Sequence, residues 1–227
     1  MEAFLNMLLT AVATLGAAFL GAGYAFRLND NANARQTVRE QVAAVNKALF
    51  VLVRQFNSLR AIQNQIINPA RADLTRFISL RPVLPMSVVS PKLDVDSLSF
   101  LLETECRGLL MELMIEQERF ETAVQAINER SRLHIEVLQP RMAAGGIMEG
   151  VDYPAAEVIE VLSKPLVLHM QRATDEAIQH VDDTINSNLA FAKRFHREMK
   201  VLFPKYSIIH FEPMEPSNPT VNTDAAR

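Results

Sequence analysis

Apolar side chains recur at alternating four- and three-residue spacings along three long stretches of the chain. The first seam starts at Val38, the second includes Leu113 and Phe120, and the third ends at Leu202. Such a period is typical of amphipathic helices. Further apolar positions widen each face beyond a strict two-stranded seam, which favours a bundle. The sequence therefore predicts an all-α fold with an elongated, antiparallel, coiled-coil-like bundle of three to four long helices.

A different pattern precedes the seams. The segment from Ala3 to Phe26 carries no charged residue and shows no polar stripe. A helix of roughly 20 apolar residues is enough to cross the hydrocarbon core of a bilayer. The acidic Glu2 before the segment is not the basic flank of a secretory signal peptide. We therefore predict a single transmembrane helix and an uncleaved signal anchor over residues 1–28.

Small residues follow one face of this segment at four-residue spacing. Close approach of backbones along such a face lets transmembrane helices associate. We predict a membrane packing face and a homo-oligomer, with an ordinary Gly- and Ala-rich helix as the alternative. The face consists of Ala13, Ala17, Gly21 and Ala25.

The charges that flank the segment predict its orientation. Glu2 is the charged residue on the amino side, whereas Arg27, Arg35 and Arg39 follow on the carboxyl side. Basic residues near a membrane span stay in the cytoplasm. A single cysteine, Cys106, also fits a reducing compartment. We expect a single-pass protein of a bacterial inner membrane, with the amino terminus outside and the helical domain cytoplasmic.

Prolines and polar runs divide the rest of the chain. Residues 29–68 form the first bundle helix, and residues 69–95 form a Pro-rich connection. Residues 96–211 form a helical hairpin, and residues 212–227 form a disordered tail. Pro69 and Pro140 are expected to end the first and second long helices. The run NDNAN at residues 29–33 leaves open whether the anchor helix continues into the bundle.

Charge and motifs exclude several classes of protein. The 227 residues carry a formal net charge of −3, so no basic field points to nucleic acid. Phosphate-binding glycine loops, Cys-x-x-Cys pairs and nucleophile elbows are absent from the sequence. Glu176, His180 and Asp183 share a helix face, but we interpret it as a solvated face. His134 lies on the core stripe. No catalytic residue, metal ligand or cofactor site is predicted.

Two further hypotheses concern surfaces. Acidic residues of the middle helix, such as Glu112, and basic residues of the first helix, such as Arg54, suggest either a charge-matched helix pair or two solvated faces. The turn after the middle helix combines apolar and basic side chains, as an interfacial membrane contact does. An ordinary exposed turn is the alternative. The possible membrane-contact turn consists of Arg141, Met142, Ile147 and Met148.

The leading prediction is a non-enzymatic, membrane-anchored helical scaffold, tether or oligomeric structural protein. Its expected partners are the lipid bilayer, further copies of the chain and an unidentified protein, with no nucleic acid. The alternative is a membrane-bound sensory or signal-transducing bundle, because helical bundles can adopt two states. A metal-dependent helical-bundle enzyme ranks below both.

Overall fold

The computed structural model describes residues 1–85, 92–147, 151 and 153–210, with the side chains of residues 3–14, 17 and 155 outside the description. Within these residues every regular element is a helix, and three helices are long. The prediction of an all-helical bundle is thereby confirmed. The predicted tail, residues 212–227, lies outside the described residues.

The first helix, α1, is one continuous element from Glu2 to Ile62. It runs through the NDNAN segment without a break, and all residues from 18 to 37 are exposed to solvent. Because residues 29–33 contain neither Pro nor Gly, their asparagines remain in the helix at a modest propensity cost. The first buried side chain that follows is Val42. We call residues 2–37 the N-terminal extension of α1.

Two π-helical turns carry the long helices past their prolines. Gln63–Ile67 precedes α2 (Asn68–Ala70), and His134–Leu138 precedes α5 (Gln139–Ala144). A proline ring clashes with the carbonyl group four residues earlier. In each π turn the closing N–H group bonds five residues back, from Asn68 to Gln63 and from Gln139 to His134. The backbone therefore stays helical through Pro140 as far as Ala144, so the stop predicted at Pro140 was wrong, whereas the first long helix ends at Ala70, one residue after Pro69.

The connection after α2 returns along the bundle. It contains α3 (Arg76–Ser79) and a backbone hydrogen bond from Val83 N–H to Ser131 Oγ at 3.0 Å. It then reaches α1, where Lys47 Nζ lies 3.1 Å from Asp94 Oδ2. The connection thus brings the chain back to the end of the bundle at which the N-terminal extension leaves. We call this the proximal end.

The second long helix starts later than the sequence suggested. Residues Asp96–Glu103 form a 3-10 helix, and α4 begins only after it, as Arg107–Leu133. Between them, Thr104 is extended and its hydroxyl accepts the Cys106 N–H group at 3.1 Å. Threonine hydroxyls compete with helical hydrogen bonds in this way. Cys106 is consequently half-buried at the start of α4, not a fully buried member of its core stripe.

The last two helices are α6 (Ala155–Leu162) and α7 (Lys164–Leu202). Pro165 lies in the first turn of α7, where a proline is tolerated. Helix α7 packs along α4 in the antiparallel sense. Ser187 donates to Glu116 near the start of α4, and Arg130 near its end lies against Thr174, earlier in α7. The predicted antiparallel hairpin of α4 and α7 is therefore present.

Helix α7 is also antiparallel to α1. Gln63, directly after α1, donates to Asp182 at 2.7 Å, and Asn46 of α1 donates to the backbone of Ser207 at 3.2 Å. Helices α1 and α4 consequently run in the same direction, which differs from the simple up-and-down order expected from the sequence. The two helices share a direction because the connection brings the chain back to the proximal end, where α4 then starts. The turn between α4 and α6 lies at the opposite, distal end.

The core of the described residues follows most of the predicted seams. Phe56 and Phe120 are buried as expected, whereas Phe50, Leu74 and Leu102 are exposed. Leu74 lies outside α3, which begins only at Arg76, and Leu102 belongs to the 3-10 helix. A second, smaller cluster closes the distal end. Its buried members are Phe77, Leu133, Leu138, Leu162, Val167 and Met170.

In the described part of the chain, no helix has both the length and the apolar character that crossing a membrane requires. The predicted transmembrane helix over residues 1–28 is thus not confirmed. The side chains of residues 3–14 and 17, within this segment, lie outside the description.

Candidate functional site

The N-terminal extension presents an apolar surface that is exposed to solvent. Its described bulky apolar side chains are between 53% and 80% exposed and are distributed around the helix. Soluble proteins rarely leave such a surface uncovered. These side chains are Leu15, Phe19, Leu20, Tyr24, Phe26 and Leu28.

The predicted packing face lies on this extension. Gly21 and Ala25 are exposed, and a Cβ atom built on Gly21 would meet no atom within 4 Å. This leaves room for a second helix to approach closely along that face. The side chains of Ala13 and Ala17 lie outside the described residues, so the face as a whole remains a prediction.

The turn predicted to touch the membrane lies at the distal end. Arg141 is exposed, but Met142 packs against the second core cluster and Ile147 is only 6% exposed. Met148 lies outside the described residues. The turn packs closely on α6, because a Cβ atom on Gly145 would lie 2.1 Å from Val161 Cγ1. Two of its apolar side chains therefore contribute to the core, which the sequence pattern did not reveal.

Two arginine–aspartate ion pairs join the connection to α7 in the distal half of the bundle. Arg71 makes a bidentate contact with Asp182, with both distances below 3 Å, and Arg76 pairs with Asp175 at 2.9 Å. The hydrogen bonds from Arg71 hold the pKa of Asp182 below its usual range. Beside these pairs lies an open groove of about 340 Å³ that also includes Asp183. Because both arginines are already paired, this groove offers no free cation to a ligand.

The charge-matched pair of α1 and α4 is not observed. Where the two helices meet, Gln55 donates to Gln117 at 2.7 Å. The acidic residues of α4 pair elsewhere, Glu112 with Arg194 of α7 and Glu121 with Lys92 of the connection. No ion pair between described residues joins α1 to α4. Of the two interpretations of these charges, the described ion pairs therefore do not support the charge-matched pair, because α7 packs along both α1 and α4.

A buried polar cluster lies on α4 beneath α3 and α7. Arg130 is 1% exposed, and its guanidinium donates from Nη2 to Phe77 O at 3.2 Å and from Nε to Thr174 Oγ1 at 3.5 Å. Burial lowers the pKa of Arg130 to about 10, so the group stays charged at neutral pH. One turn later, His134 is 6% exposed, and burial together with the Arg130 charge lowers its pKa to about 4. Sequence analysis placed His134 in the core but missed Arg130.

The polar face predicted on α7 does not form a group of metal ligands among the described residues. Glu176, His180 and Asp183 are all exposed, as expected for a solvated face. In the described ranges no three His, Cys, Asp or Glu side chains come together as metal ligands. The predicted lack of a metal or cofactor stays a prediction.

Comparison of the chain with protein-family models, with curated proteins and with solved structures finds no match. The functional argument therefore depends on the fold and the surfaces described above.

Proposed function

We propose that the protein is a membrane-attached helical tether, in which the N-terminal extension enters a bilayer and the bundle projects from it. The observation that carries the proposal is the single helix α1, which joins an exposed apolar extension to a packed bundle without a hinge. Apolar surface contributes about 25 cal/mol for each Å² removed from water, so covering the extension supplies a strong driving force.

The geometry gives the tether a defined length. The helix axis advances about 55 Å, at 1.5 Å per residue, from Phe26 to Gln63. Phe26 lies at the end of the apolar segment, and Gln63 lies directly after α1, near the distal end. The distal turn and α6 lie beyond that point. A partner bound at the distal end would thus be held well away from the bilayer. In this proposal the basic residues Arg27, Arg35 and Arg39 lie on the cytoplasmic side.

Self-association along the extension forms part of the proposal. A helix that presents Gly21 and Ala25 on an open face can pair closely with a second copy. Gly21→Ile should weaken the oligomer in detergent, as measured by mass photometry or cross-linking. Gly23→Ile is the matched control, because Gly23 is equally open but lies on another face. Equal oligomers in wild type and both variants would contradict pairing through this face.

The membrane attachment can be tested by flotation of the full chain with lipid vesicles. Gly16→Arg with Leu20→Arg places two charges in the apolar segment, where each costs about 2.5–3.5 kcal/mol at the centre of a bilayer. The control carries Asn29→Arg with Asn33→Arg, which adds the same charges one segment later. Wild type and control should float with vesicles through a high-salt wash, and the first variant should not.

Wild-type protein that stays monodisperse without detergent and does not float would overturn the proposal.

A second candidate function is signal transmission along the bundle. It is favoured by the paired π turns at Gln63–Ile67 and His134–Leu138, since π-helical turns recur at functional sites.

A further inference from the structure

Arg130 is a buried cation without a counter-charge among the described residues. Within the described part of the chain, its guanidinium donates hydrogen bonds to one carbonyl and one hydroxyl oxygen, and Nη1 has no hydrogen-bond partner there. A guanidinium offers five N–H donors and does not lose its charge at neutral pH. Removing an unpaired charge from water costs several kcal/mol, and proteins normally compensate it with an opposite charge.

A second unsatisfied polar atom lies directly after α4, at the first residue of the π turn His134–Leu138. His134 Nδ1 is buried and has no hydrogen-bond partner among the described residues. His134 follows Arg130 by four residues, which places both side chains on one face of the helix. The charge of Arg130 accordingly contributes to the lowered pKa of His134. At neutral pH the imidazole is uncharged and can donate one N–H group.

We propose that Arg130 and His134 form a buried site for a small monovalent inorganic anion of the chloride class. One anion would accept hydrogen bonds from Arg130 Nη1 and from His134 Nδ1, in the neutral tautomer that carries its N–H group at Nδ1. The same anion would neutralise the guanidinium. A water molecule would satisfy the same donors but would leave the charge uncompensated. The site is independent of the proposed tether function, because it lies inside the bundle.

The position of this site gives the anion a structural consequence. Arg130 also binds the carbonyl of Phe77 in α3, and the neighbouring Ser131 binds the backbone of Val83. Both contacts attach the returning connection to α4. An anion that neutralises Arg130 would therefore stabilise the connection that sets the parallel order of α1 and α4.

The test compares thermal unfolding of the full chain in detergent with sodium chloride and with sodium gluconate at equal ionic strength and pH 7.5. A ligand that binds the folded state stabilises it in proportion to ln(1 + [L]/Kd). At a chloride concentration of about ten times Kd, the unfolding equilibrium constant should fall about tenfold. Arg130→Met should abolish this chloride dependence, whereas Arg132→Met, which changes an exposed arginine two residues later, should retain it.

A second measurement does not depend on folding of the variant. The chloride-35 NMR line should be broadened to the same extent by the wild type and by Arg132→Met, beyond its width in protein-free buffer with the same detergent, and bromide should remove the excess width by competition. Unfolding that is the same in chloride and gluconate, together with no excess linewidth, would overturn the site and leave water as the occupant. Failure of vesicle flotation would not affect this result.

Discussion

The packing of the bundle is tested most sharply by two phenylalanines that differ in burial. Phe120 of α4 is 2% exposed inside the main core, whereas Phe50 of α1 is 56% exposed. Replacing a buried phenylalanine by alanine costs about 3–5 kcal/mol, because transfer energy is lost and a cavity remains. Phe50→Ala removes little buried surface and gains helix propensity, so its expected effect is within about 0.5 kcal/mol.

The magnitude is large against the whole stability of a domain. The free energy of unfolding of a globular domain is about 5–15 kcal/mol, so Phe120→Ala should remove about a fifth of it or more. For 150–250 residues, each kcal/mol lowers Tm by about 2–4 °C, which gives a decrease of about 6–20 °C. Circular dichroism at 222 nm during thermal and urea unfolding of the full chain in mild detergent measures both variants. Equal losses for the two variants, or a loss below about 1 kcal/mol for Phe120→Ala, would refute the described packing.

Three further predictions concern contacts that fix the ends of the bundle. Asp182→Asn should cost about 0.5–1 kcal/mol at pH 7 because it weakens a half-exposed ion pair. The lowered pKa of Asp182 means that this stability is fully present above the unfolded-state pKa of about 3.9 and is lost as the pH falls through the folded-state pKa. Urea unfolding should therefore show a smaller deficit of the variant at about pH 3 than at pH 7. Gly145→Ala should destabilise the distal turn by about 1–3 kcal/mol in the same assay, because its Cβ atom would collide with Val161; an unchanged midpoint would contradict this contact. Asn46→Ala removes two hydrogen bonds to the backbone after α7 and should speed amide exchange at Ile209, which donates to Asn46 at 2.8 Å, without changing exchange in the core.

The periodicity of the sequence was sufficient to predict the long helices and most of their buried faces. Phe56, Phe120 and His134 are buried as the seams indicated. Helix spacing alone determines which side chains share a face, and this information is local. The continuity of α1 through NDNAN could not be decided from the pattern, since asparagine is only moderately unfavourable inside a helix.

The order of the helices depended on contacts that no local pattern shows. A connection that runs back along the bundle is held by the Val83–Ser131 and Lys47–Asp94 contacts, which join residues 48 and 47 positions apart. The helix end predicted at Pro140 was wrong because the π turn before it relieves the clash that normally ends a helix. Arg130 was missed because a charged residue beside a core stripe is usually solvent-exposed.

The central claim is that the N-terminal extension lies in a bilayer and the bundle projects away from it. In a Cys106→Ser background, a dye is placed either at position 144, at the distal end, or at position 207, near the proximal end. Energy transfer to acceptors in the lipid headgroups then measures the distance of each dye from the bilayer. The account predicts strong transfer from position 207, about 30 Å of helix beyond Phe26, and weak transfer from position 144, which is more than about 55 Å away. Equal transfer from both positions, or stronger transfer from position 144, would contradict it.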